Sequence, residues 1–172
     1  MLSRSSITLL LIGLAISEFL IGDVGGAPSG RDVNARDEHG NTALHIAADT
    51  GNLKEAKKLI AKGAIFDSEN NMKSTPLHSA AFRGNKDIVK LLIGKGAKLD
   101  SKNNLGNTPL HYAAEYGYKK IAKHLIKKGA DTDIKNNANL VPLQYATQNG
   151  NDDVVKLFVG KGKKTDMEKK LK

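Results

Sequence analysis

The chain has no cysteine and no tryptophan, and only four phenylalanines and four tyrosines among its 172 residues. Without thiols it forms no disulfide, no thiolate metal site and no cysteine nucleophile. With 5% aromatic residues, its core has to be aliphatic. Proline is scarce at four residues while glycine reaches 17, so reversals of direction rest mainly on glycine. Known catalytic and nucleotide signatures are missing as well: there is no phosphate loop, no Gly-x-Ser-x-Gly elbow and no His-Glu-x-x-His. No Asn-x-Ser/Thr glycosylation sequon occurs. These gaps leave an enzyme without a constellation, and no cofactor is expected.

Charge and hydrophobicity are ample. Hydrophobic residues make up 40% and charged residues 26%, too apolar for a disordered chain and too charged for a multi-span membrane protein. Lysine and arginine total 27 against 18 acidic residues, a formal net charge of +9. The main apolar run, Ile7 to Ile16, follows Arg4 and precedes small residues that include Ala15, Ser17, Val24 and Gly26. A basic start, a short apolar stretch and small residues form the pattern of a secretory signal peptide, here 1–26. Glu18 interrupts the run, and a spanning helix needs about 20 continuous apolar residues, so a membrane anchor is disfavoured. The expected location is outside the cell.

The rest of the chain is periodic. Thr42-Ala43-Leu44-His45, Thr75-Pro76-Leu77-His78, Thr108-Pro109-Leu110-His111 and Val141-Pro142-Leu143-Gln144 begin 33 residues apart. Gly51, Gly84, Gly117 and Gly150 keep that step, as do Gly30, Gly63, Gly96, Gly129 and Gly162. Self-similarity at this period means stacked units, each too small to bury its own apolar face. In the third unit, Thr108 and Pro109 start a short helix that Gly117 ends. A second helix runs from about Lys119 to Lys127, with Ile121, Ala122, Leu125 and Ile126 at helical spacing. A polar turn then leads to the next unit.

Gly-x-Thr-Pro-Leu-His, Ala-Ala-x-x-Gly and Leu-Leu-Ile-x-x-Gly-Ala, read in that order, resemble the ankyrin repeat. The resemblance covers 30–164, as the end of one hairpin followed by units 37–69, 70–102, 103–135 and 136–168, with a basic tail at 165–172. It implies an all-α repeat solenoid of stacked helix-turn-helix units with β-hairpin loops projecting from the stack. It also implies binding of another protein through the hairpin tips and the exposed ends of the first helices. Met72, Phe82, Arg83, Leu105 and Tyr116 give the middle of that surface the composition of an interface hot spot. His39, Asn41 and Asn107 join them at the tips. Local packing of Phe82 and Leu105 between units is the competing expectation.

Departures from the repeat carry expectations of their own. Threonine and histidine are lost together in the fourth unit, at Val141 and Gln144, as expected if the two side chains bond to each other. Lys73 and Asn139 stand where Gly40 and Gly106 turn the chain, and lysine takes a positive φ at a cost. Glu55 replaces the Ile88, Ile121 and Val154 of later units, and Lys163 the alanine of earlier ones, as suits the outer faces of terminal units.

Three histidines one repeat apart cannot converge on a single ion, so no metal is expected; they are read as bonding within their own helix starts. Lysines line two second helices, Lys54 to Lys62 and Lys119 to Lys128. They suggest a weak attraction to anionic surfaces such as heparin or lipid head groups. Aromatics do not interleave with them, so sequence-specific nucleic-acid recognition is not expected. The expected molecule is a monomeric, secreted, non-catalytic scaffold for another protein, an effector, venom or saliva component. The alternatives are an intracellular regulator resembling the IκB class, with its N-terminus misread, and an anionic-surface binder.

Overall fold

The computed structural model describes residues 32–159. The signal-like segment 1–26, Lys163 and the basic tail 165–172 lie outside the described residues. Helices α1 (Ala43–Thr50), α3 (Pro76–Arg83), α5 (Pro109–Glu115) and α7 (Pro142–Gln148) are the first helices of the four units. Helices α2 (Leu53–Ala61), α4 (Lys86–Gly94) and α6 (Lys119–Lys127) are second helices, and 152–159 forms a fourth, α8. First helices pack on first helices along the stack, second on second, and each of the first three pairs packs internally.

The Thr-Pro pairs start α3 and α5 with proline at the first helical position. Each of Gly51, Gly84, Gly117 and Gly150 reverses the chain with a positive φ between the two helices of a unit. Gly84 has a second constraint, because a Cβ there would come within 2.8 Å of the Tyr118 ring. The core is aliphatic as the composition requires. Leu44, Leu77 and Leu110 sit fully buried beneath pairs of buried alanines in α1, α3 and α5. Ile88, Val89, Leu92, Ile121, Leu125 and Val154 supply the matching layer from the second helices. Small alanine faces let neighbouring helices approach closely, so stability comes from repeated contact between units rather than from one large core.

The loops between units differ from the expected β-hairpins. No strand occurs among the described residues, and the one isolated bridge joins Arg36 to Thr42. Each tip is instead a tight turn closed by two backbone bonds at 2.8–3.0 Å. The N–H of Asp37, Asn70, Asn103 or Asn136 donates to the carbonyl of Asn41, Ser74, Asn107 or Leu140, and the carbonyl of the same residue accepts from the N–H of Gly40, Lys73, Gly106 or Asn139. The physical reason lies at the head of each turn. The Oδ1 of Asp37, Asn70, Asn103 or Asn136 accepts two backbone N–H groups, two and four residues on. That side chain satisfies donors a strand partner would otherwise take, so the tips need no ladder of their own. Lys73 and Asn139 adopt φ of 54° and 61°, the left-handed geometry their glycine counterparts imply.

Candidate functional site

The described residues carry a groove of about 480 Å3 between the turn tips and the first helices of units one and two. Ile46, Asp49 and Thr50 of α1 form one wall, Ser79, Phe82 and Arg83 of α3 the other, with Met72 at the rim and Tyr112 at the far end. Short first helices produce it. Positions 46, 49 and 50 recur on the face of α1 turned away from the buried Leu44, Ala47 and Ala48. Ile46 is 42% exposed and Met72 52%, an apolar surface without a covering element among the described residues.

Arg83 spans the two walls. Its Nε donates to Asp49 Oδ1 at 2.8 Å, and its guanidinium lies 5.4 Å from the Phe82 ring centre. The Asp49 carboxylate raises the Arg83 pKa, so the guanidinium stays charged across the ordinary pH range. Phe82 meets Tyr112 and Tyr116 edge-on at 5.4 and 5.1 Å, and Tyr116 stacks on Tyr118 at 6.0 Å. Four of the chain's eight phenylalanines and tyrosines therefore gather at the seam between units two and three. Burial pushes the Tyr112 and Tyr116 hydroxyls and the half-buried Glu115 carboxyl above their usual ranges.

Tyr118 explains why the cluster is there. The matching Asn85 and Asn151 reach back one unit and donate to two carbonyls each, Ala48 with Asp49 and Ala114 with Glu115, at 2.8–3.0 Å. Tyrosine at this position forms a ring contact with Tyr116 instead, next to Phe82.

The eight sequence-predicted residues divide into three groups. Asn41, Met72, Phe82 and Arg83 line the groove, and Tyr116 backs it through Phe82. Phe82 is half-buried and does both jobs set against each other above, packing between units while facing the groove. Leu105, 46% exposed, sits on the next tip, outside the groove lining, and His39 is on the first tip, 3.5 Å from Glu38. Asn107 has a different place from the one expected. It is 3% exposed, its Oδ1 accepts from Asn136 Nδ2 at 2.7 Å, and its carbonyl accepts from His78, so it ties units together and offers no surface.

Ile46, Asp49 and Tyr112 line the groove and are not among the eight residues named from the sequence. Asp49 alone had a usable signal, since Arg83 follows it by 34 residues on the equivalent face. A second contribution came from asparagines 71, 104 and 137. Each donates its N–H and its Nδ2 to the preceding tip, at 2.9–3.1 Å. These bonds hold adjacent tips in register.

The histidines act one by one. Thr42, Thr75 and Thr108 donate their backbone N–H to Nδ1 of His45, His78 and His111 at 3.0–3.1 Å. A backbone N–H only donates, so Nδ1 accepts and the ring proton sits on Nε2. Nε2 then donates to the carbonyl of Ser74, Asn107 or Leu140 in the following unit, at 2.9–3.1 Å. Burial lowers all three pKa values, that of His78 to about 4. In the fourth unit Gln144 Oε1 accepts from Val141 N–H at 2.9 Å, which keeps half of the cap and drops the hydroxyl contact. Among the described residues no group of three His, Asp or Glu side chains is placed to hold a metal ion.

No helix among the described residues is long and apolar enough to cross a membrane. A family model for ankyrin repeats in three copies matches residues 12–103 and 93–170. No curated protein matches the chain.

Proposed function

The chain belongs to the ankyrin-repeat family, and from that premise we propose that it is a secreted scaffold whose partner seats in the groove between α1 and α3. Ankyrin repeats mediate binding to other proteins and are typically non-catalytic. The finer reading is supported by one observation above the rest: the groove exposes Ile46, Met72 and Phe82 together, beside an arginine already oriented by Asp49. Apolar side chains around a pre-positioned arginine are the make-up of an interface hot spot. Preorganisation by the salt bridge and the aromatic seam lowers the ordering cost of binding.

Export is supported by the basic, apolar and small-residue order of segment 1–26. A secreted array of this kind acts on proteins it meets outside its own cell, as an effector, venom or saliva component would.

The test replaces Phe82, Arg83 and Tyr116 with alanine, singly, and measures thermal stability alongside capture of partners from extracts. Capture falling at least about tenfold for Phe82→Ala or Arg83→Ala in folded protein is the expected result. Unchanged capture with lowered stability assigns these residues to packing alone. Sequencing the N-terminus of the exported product checks the leader.

A further inference from the structure

Charge is segregated in this molecule. Residues 53–62, 86–95 and 119–128, which are α2, α4 and α6 with their last-turn neighbours, hold 12 of the 17 lysines among the described residues. Against them stand two carboxylates, Glu55 and Asp87, giving this set of helices a net charge of +10. The remaining described residues carry −5. A surface built only for solubility interleaves both signs; here this set of helices holds 12 of the 19 lysines and arginines of the described residues and only two of the carboxylates.

The geometry sharpens the point. Lys58, Lys86, Lys90 and Lys119 reach a carboxylate at 3.1–3.9 Å. The other eight have no carboxylate of the described residues at ion-pair distance. On α6, Lys119, Lys123 and Lys127 follow at i,i+4, where like charges repel by a few tenths of a kcal/mol per pair. His124 registers the joint field. Burial first, then Lys128, Lys90 of α4 and Lys127 depress its pKa, so lysines of neighbouring units act on one spot. Its Nε2 is buried without a hydrogen-bond partner.

We propose that the lysine face of α2, α4 and α6 is a second binding surface, independent of the groove, for a linear sulfated polysaccharide. Charge complementarity carries the choice of a polyanion. Three observations select among polyanions. All 12 cations are lysine and none arginine, which suits diffuse attraction to a string of sulfates rather than the bidentate grip arginine gives to phosphates. The exposed large apolar residues, Ile46, Ile65, Met72, Leu105 and Val159, are absent from α2, α4 and α6, so this face has nothing to insert into a bilayer. It also carries no phenylalanine, tyrosine or tryptophan on which a base could stack. A flexible chain tracks across three parallel helices and releases its counterions as it does so.

The experiment titrates the full chain with heparin, chemically desulfated heparin, phosphatidylserine vesicles and duplex DNA, at salt from 50 to 300 mM. Expected are binding to heparin that falls steeply with salt, weaker binding to the other three, and a loss of about tenfold or more in the triple variant K120E/K123E/K127E. Phe82→Ala leaves heparin binding unchanged, which separates this surface from the groove. No heparin binding at 50 mM salt overturns the proposal. So does equal binding to desulfated heparin, vesicles or duplex DNA, or a triple variant that binds as tightly as the parent. Should the triple variant unfold, K120Q/K123Q/K127Q gives the same decision with a smaller charge change.

Discussion

His78 does the most with the fewest atoms. It accepts its own unit's first amide on Nδ1, and on Nε2 it donates to Asn107 in the next unit. Protonating Nδ1 would set a donor against a donor. Its ordinary pKa of 6.5 drops to about 4 in the fold, chiefly through burial. The unfolded chain therefore takes up the proton first. Stability from this residue is whole above pH 6.5, falls as the pH drops below it, and by pH 4 has lost about 3 kcal/mol. His45 and His111 add to the loss in the same direction. Thermal unfolding at pH 7 and pH 4.5 is expected to show the drop, and His78→Gln to show a smaller one. At Lys73 the strain is in the backbone, with φ at 54°. Lys73→Gly should stabilise the protein by about 1 kcal/mol, since a side chain in the left-handed region costs about 1–2 kcal/mol and glycine's extra unfolded-state entropy returns part of that. Asn139→Gly should gain less, because asparagine tolerates the region. Denaturant midpoints of the two variants test the order.

Among the first helices, α7 is the least buried. Only Pro142 and Ala146 of its seven residues are buried, against five in α5. Its start lacks the threonine hydroxyl and imidazole of the other units and relies on the Gln144 amide. Restoring the pair in the double variant V141T/Q144H is expected to stabilise the fourth unit by about 1 kcal/mol, the ordinary worth of an N-cap. Either substitution alone should gain less, as each partner needs the other. A double-mutant cycle on unfolding free energy measures that coupling. The motif steps place every first helix, and the residue pattern places α6 at Lys119–Lys127 as observed. The turn tips were less legible. Side-chain bonds from Asp37, Asn70, Asn103 and Asn136 stand in for strand pairing, and local sequence does not show which polar side chain turns back on its own backbone.

At the scale of the molecule, stability is a sum over neighbouring units. Units two and three have a neighbour on both sides, whereas α1 and α7 each contact one first helix among the described residues. Amide hydrogen exchange should therefore be slowest in α3 and α5. In α7, the least buried of the first helices, it should be at least about tenfold faster. Uniform protection across the four units would contradict this nearest-neighbour picture. The groove belongs to the same scale. It exists because Arg83 and Asp49, 34 residues apart, meet on adjacent first helices, and because Tyr118 gives up the asparagine bonds for a ring contact.

The 33-residue period, with its caps, glycines and aliphatic spacing, determined by itself that the chain folds as stacked helix pairs, since no other arrangement buries those apolar stripes. It also told that the three histidines serve their own helix starts. Tertiary structure alone decided which polar residues are free to meet a partner. Asn107 and Asn71 look alike in the sequence as tip residues beside Met72 and Leu105. Only the stacking of one turn on the next shows their donors and acceptors already spent inside the molecule, leaving Ile46, Met72, Phe82 and Arg83 facing outward.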